Sequence, residues 1–124
     1  MKNRFTKNIS HFVEIELELA SNDRESGKVN SEFEHLENAH VLGQESTYWH
    51  VKVHVLMLLW AVRNSQVKEF FGQVFRIAGA TTKTALGLVP QGNTGGANIS
   101  PFKVMPIKVE YQKIISDAKS TIPR

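Results

Sequence analysis

The sequence contains no cysteine among its 124 residues. A chain without thiols forms no disulfide framework and offers no thiolate to a zinc ion. Any metal site in this chain must therefore use nitrogen and oxygen donors, with Met57 as a less favoured thioether. The absence of cysteine also agrees with a cytoplasmic protein.

Long hydrophobic runs are missing as well. The longest, residues 53–62, is interrupted by His54 and is about half as long as a membrane span. The basic N-terminus is followed by polar residues and Glu14, which is unlike the core of a signal peptide. We therefore expect a cytoplasmic protein that does not bind a membrane.

Basic residues do not form a run. The formal net charge of +3 is spread along the chain, and aromatic residues do not alternate with the basic ones. This pattern is unlike a nucleic-acid surface, so we expect no nucleic-acid partner. A protein partner or self-association stays open.

Hydrophobic residues recur at helical spacing along most of the chain, which predicts an all-α fold in a single domain over residues 1–124. We predict four main antiparallel helices, over 4–22, 28–43, 48–63 and 66–78, with the third helix central. Gly43 is predicted to end the second helix as a C′ residue. A long Gly/Pro-rich loop over about 87–106 and a short helix over 107–120 complete the chain.

A weak internal repeat relates residues 27–39 to residues 64–77. Helix pairs that repeat in this way suggest tetratricopeptide-like stacking. An antiparallel four-helix bundle explains the same pattern nearly as well. Both arrangements therefore remain predictions.

Histidines and carboxylates fall on helix faces that should be buried. His50 and His54 are one turn apart, a spacing at which two imidazoles project toward a common point. Glu37 and His40 form a Glu-x-x-His pair on the second helix, as in carboxylate-bridged metal bundles. Glu16 lies within the apolar face of the first helix, where a carboxylate is costly unless it is paired or metal-bound. These five residues predict a metal site on helices one to three.

Nitrogen and oxygen ligation favours a divalent transition metal, either Zn, Fe, Mn, Ni or Cu. The same residues also permit a buried hydrogen-bond network without metal, in which Glu16 pairs with His40 or His50. His11 and His35 fall on more exposed sides of their helices.

The Gly-rich loop is the other unusual feature. Consecutive glycines within residues 91–102 allow backbone N–H groups to converge on an anion. No lysine follows at the spacing of a phosphate-binding loop. We therefore favour a structural segment that lies across the helices, with Phe102 inserted in the core.

Two stretches carry a family resemblance. Residues 33–44, FEHLENAHVLGQ, followed by residues 50–54, HVKVH, resemble the signature of an uncharacterised family of small bacterial proteins. Residues 92–102, GNTGGANISPF, and 105–107, MPI, resemble that family's second motif. The resemblance implies a bacterial origin and a fold shared across the chain, and it implies no activity. It also returns His35, which lies inside the first motif, to the candidate functional residues.

The leading functional hypothesis is a small cytoplasmic protein that binds a divalent transition metal through the His/Glu cluster, with Glu16 as a ligand or as a partner of a ligand. One alternative is a tetratricopeptide-like protein–protein interaction module. Another is a small metal-dependent hydrolase or oxygenase, which needs an open coordination position. No nucleophile motif identifies catalytic residues. Whether the chain is an enzyme therefore stays open.

Overall fold

The computed structural model describes residues 4–85, 94–97 and 104–120, with side chains for residues 4–79 and the two later segments. The described residues form five helices and no strand, which confirms the all-α prediction. The helices are α1 (Arg4–Glu25), α2 (Val29–Gly43), α3 (Thr47–Arg63), α4 (Val67–Ala85) and α5 (Val109–Lys119). None of them combines the length and the apolar character that crossing a membrane requires.

The helix boundaries follow the sequence pattern closely, except at the ends of α1 and α4. Helix α1 continues three residues beyond the predicted end and stops before Gly27, whose φ of 74° is accessible to glycine without strain. Helix α4 continues from the predicted end at residue 78 to Ala85. Much of the predicted loop over 87–106, including Phe102, lies outside the described residues.

The helices pack as two hairpins. Helices α1 and α2 form the first hairpin, α3 and α4 form the second, and α2 packs against α3 to join them. Helix α5 returns to pack on α1 and, to a lesser extent, on α2. The core contains two tryptophans of α3 together with small and aliphatic side chains of α1, α2, α3 and α5. Its buried members are Ile9, Val13, Ala20, Leu36, Ala39, Leu42, Trp49, Val53, Met57, Trp60, Ala61, Ile115 and Ala118.

The junction between α2 and α3 is unusually tight. Gly43 is the last residue of α2, and a Cβ atom there would lie 2.7 Å from Cβ of Trp49. The predicted end of the helix at Gly43 is therefore confirmed, but this glycine is the last helical residue and not a C′ residue, and it permits the close approach to α3. Ser46 caps α3 by accepting a hydrogen bond from the Trp49 backbone N–H, and its hydroxyl also bonds Thr6 of α1 at 2.6 Å. This junction sets the end of α2 beside the first turns of α3.

Candidate metal centre

Three histidines meet between the end of α2 and the first two turns of α3. His40 comes from the last turn of α2, while His50 and His54 are one turn apart on α3. All three side chains are buried. Each offers one ring nitrogen as a potential ligand atom, and these three nitrogens lie within 4.8 Å of one another. The Nε2 atoms of His40 and His54 are 3.1 Å apart. These three residues form what we call the histidine cluster.

The hydrogen bonds of Gln73 on α4 assign the proton of His54. The Gln73 amide nitrogen donates to Glu69 Oε2 at 2.5 Å and to the Gly95 carbonyl at 2.9 Å, which fixes the orientation of the amide. Its oxygen therefore faces His54 Nδ1, at 2.6 Å. Because an amide oxygen only accepts, Nδ1 carries the proton and Nε2 presents its lone pair toward His40.

The interior keeps His54 neutral. Burial lowers the pKa of His54 to about 4, and the nearby Arg76 guanidinium acts in the same direction. The hydrogen bond to Gln73 opposes this shift without cancelling it. A neutral imidazole whose Nδ1–H is held by an acceptor is the form in which histidine binds a metal through Nε2.

Residues 94–97 of the Gly-rich segment cover the histidine cluster. Arg76 donates to the carbonyl of Gly95 at 2.6 Å and to that of Gly96, while Glu69 accepts the Ala97 backbone N–H at 2.9 Å. Gly95 has a φ of 86°, and a Cβ atom on it would lie 2.6 Å from His40 Cδ2. The backbone therefore packs directly on the His40 ring, where only glycine fits.

The two predicted carboxylate ligands lie outside the group of converging ligand atoms. Glu37 is half-buried one turn before His40, and its carboxyl group is hydrogen-bonded by Thr94. Burial raises the pKa of Glu37 to about 7. Glu16 instead bonds His35 Nδ1 at 2.9 Å and the Asn38 side-chain amide at 3.0 Å. The carboxylate of Glu16 thus bonds His35 and Asn38 in the middle of α2, and neither His40 nor His50.

Sequence reasoning missed the residues that support the cluster. Glu69, Gln73 and Arg76 occupy one face of α4, and Gln73 and Arg76 are buried there. Their spacing of four and three residues, in a helix otherwise rich in Phe and Val, was the available signal. The role of Gly95 had no comparable signal, because it depends on the position of His40 in space.

The fold and the cluster define an all-α protein with three buried, converging imidazoles. The chain belongs to the DUF3703 family of proteins of unknown function, whose family model matches residues 7–115. This match confirms the resemblance to an uncharacterised family. Comparison with curated proteins and with solved structures gives no match.

Replacing Gly95 with alanine should disturb both the backbone and His40. We expect Gly95→Ala to lower the free energy of unfolding by about 2–4 kcal/mol, because it combines an unfavourable φ with a clash. Gly27→Ala is the matched control, since Gly27 also has a positive φ but nothing lies within 4 Å of its added Cβ. Denaturant unfolding should show a loss of only about 1 kcal/mol for the control. Equal losses in the two variants would contradict the close packing on His40.

Acid should destabilise the metal-free protein through His54. Its pKa is about 4 when folded and about 6.5 when unfolded, so between these values the unfolded chain binds the extra proton. The contribution of His54 to stability is therefore retained above pH 6.5 and lost as the pH drops toward 4, by up to about 3 kcal/mol. Glu37, whose pKa burial raises to about 7, binds its extra proton in the folded state and acts in the opposite direction over much of the same range. Denaturant unfolding in the presence of a chelator, at several pH values, measures the combined slope of the two groups. The difference in slope between the unmodified protein and His54→Gln gives the contribution of His54, and identical slopes would contradict the assignment.

Proposed function

We propose that this protein binds a divalent first-row transition metal through His40, His50 and His54. The observation that carries the proposal is the convergence of three buried imidazoles from two helices. Two nitrogens of a tetrahedral zinc site lie about 3.3 Å apart, given Zn–N bonds of about 2.0–2.1 Å. The 3.1 Å between the Nε2 atoms of His40 and His54 is close to that spacing.

The surroundings of His54 support the same proposal. Imidazoles that bind a metal usually donate their second N–H to an oxygen acceptor, which orients the ring. His54 has this arrangement through Gln73, and Gln73 is itself held by Glu69 and Gly95. A donor set of neutral imidazoles suits Zn, Cu, Ni or Fe better than the harder Mg or Ca.

Glu37 is our candidate for a fourth ligand. It precedes His40 by three residues on α2, a spacing that places a carboxylate and an imidazole on neighbouring positions of one helix face. Thr94, which bonds the Glu37 carboxyl group, is adjacent to Gly95, and Gly95 packs on His40. Glu37 therefore flanks the cluster on the side covered by residues 94–97.

Titration of the protein with Zn²⁺ tests this function. We expect one equivalent of Zn²⁺ to bind per chain when untagged, chelator-treated protein is studied by calorimetry and by elemental analysis. His50→Ala and His54→Ala should each lower the affinity more than about 100-fold, since a lost ligand costs more than a lost partner of a ligand. Glu37→Gln should produce a smaller decrease, because three imidazoles remain.

His11→Ala is the matched control, because His11 is exposed on α1 and outside the cluster. It should bind Zn²⁺ as the unmodified protein does.

The main rival explanation of the histidine cluster is a metal-free network in which His40 and His54 share a hydrogen bond. A protein that takes up none of Zn²⁺, Cu²⁺, Ni²⁺ and Fe²⁺, and whose histidine variants are merely less stable, would establish that rival. Circular dichroism of each variant confirms folding before the titration.

Removing the acceptor of His54 should weaken metal binding without removing a ligand. Gln73→Leu keeps a similar volume but leaves Nδ1–H without its oxygen acceptor, so we expect about 10–100-fold lower affinity for Zn²⁺. Gln112→Leu on α5 is the control, since Gln112 is exposed and, in the described structure, its side chain bonds only the nearby Ile107 carbonyl. An unchanged affinity in Gln73→Leu would contradict the role of Gln73 in orienting His54 toward the metal.

A further inference from the structure

Helix α4 is oriented with its polar side inward. Gln73 and Arg76 are buried against the histidine cluster and residues 94–97, whereas Phe71 is 65% exposed and Phe75 is 67% exposed. Val67 and Val74 are exposed on the same side as the two phenylalanines. Among the described helices, α4 packs against α3 alone. Its apolar side therefore has no partner within the described chain.

The neighbouring side of α3 is apolar too. Val55, Leu59 and Val62 recur at intervals of four and three residues, which places them on one side of the helix, and all three are exposed. A shallow apolar groove lined by Val62, Val67 and Phe71 links this side of α3 to α4. We call the combined surface the outer face of the α3–α4 hairpin, formed by Val55, Leu59, Val62, Val67, Phe71, Val74 and Phe75.

We propose that this outer face binds the same face of a second copy of the chain. Its seven side chains together expose on the order of 600 Å², at the upper end of apolar patches on monomers. A symmetric pairing would bury roughly 1,200 Å² in total, which exceeds the approximately 1,000 Å² expected of a specific interface. Two helical hairpins packed face to face form a four-helix bundle, a standard way of covering such surfaces.

The charge distribution favours a second copy over a membrane surface. A helix that lies on a membrane keeps a basic polar face in water opposite its apolar face. In α4 the opposite face is instead bonded within the protein through Glu69, Gln73 and Arg76. The seven side chains of the outer face are uncharged, and the exposed Lys68 lies at its border beside Phe75. Two identical copies can therefore meet without placing like charges at the centre of the interface.

The mass of the protein in solution tests the proposal, which does not depend on metal binding. Sedimentation velocity should give twice the mass of one 14.0 kDa chain. Phe71→Glu/Phe75→Glu should raise the dissociation constant at least about 100-fold, because it places charges at the centre of the interface. Val104→Glu/Val109→Glu is the matched control: both valines are exposed, neither lies on the outer face, and the added charge is the same.

Four outcomes are informative. Loss of the dimer in the phenylalanine variant alone, with helical circular dichroism retained, supports the proposal. A dimer that survives in both variants, or a monomer in the unmodified protein, overturns it. Monomeric protein that floats with phosphatidylcholine/phosphatidylglycerol vesicles overturns it in favour of a membrane surface. If the double variant does not fold, the single Phe75→Glu variant replaces it. We expect this variant to raise the dissociation constant of the dimer at least about tenfold, and an unchanged dissociation constant would contradict the interface.

Discussion

The hydrogen bond from His54 Nδ1–H to Gln73 is the interaction on which the site and the second hairpin depend. A buried donor without an acceptor costs about 1–3 kcal/mol, so an interior imidazole must find an oxygen nearby. Here the oxygen comes from α4. Helix α4 must therefore turn its polar side toward the histidine cluster, and its apolar side consequently faces outward. The same contact also fixes the tautomer of His54.

The periodic features of the fold were predictable from the sequence. Apolar spacing located the helices, and the intervals within Glu37–His40 and His50–His54 selected the three histidines that the structure brings together. These features depend on neighbours one helical turn apart, so a linear pattern contains them. The order of the helices along the chain and the short turns between them then define the two hairpins.

Features that depend on contacts between helices were not predictable. Glu16 was expected near His40 or His50, yet it bonds His35 because the α1–α2 packing brings that imidazole to it. Gly43 was expected to be the C′ residue after α2, whereas it is the last residue of the helix and admits Trp49. The apolar period in α4 identified a helix correctly, but a helical period does not reveal whether the apolar side meets the protein's own core or a further surface.

Charge balance gives the acidic residues around the cluster a physical role. Three neutral imidazoles do not offset the charge of a divalent ion, and an uncompensated charge in the interior is strongly unfavourable. Glu69 is connected to His54 through Gln73, and Glu37 flanks His40 next to residues 94–97. Arg76 adds a positive charge nearby, which interacts with Glu69, while the Gly95 and Gly96 carbonyls accept its hydrogen bonds. A cation in the cluster would favour the ionised form of Glu37, which burial alone disfavours. Glu37 and Glu69, less the charge of Arg76, can therefore offset part of the charge of a bound dication even though neither carboxylate belongs to the three converging ligands.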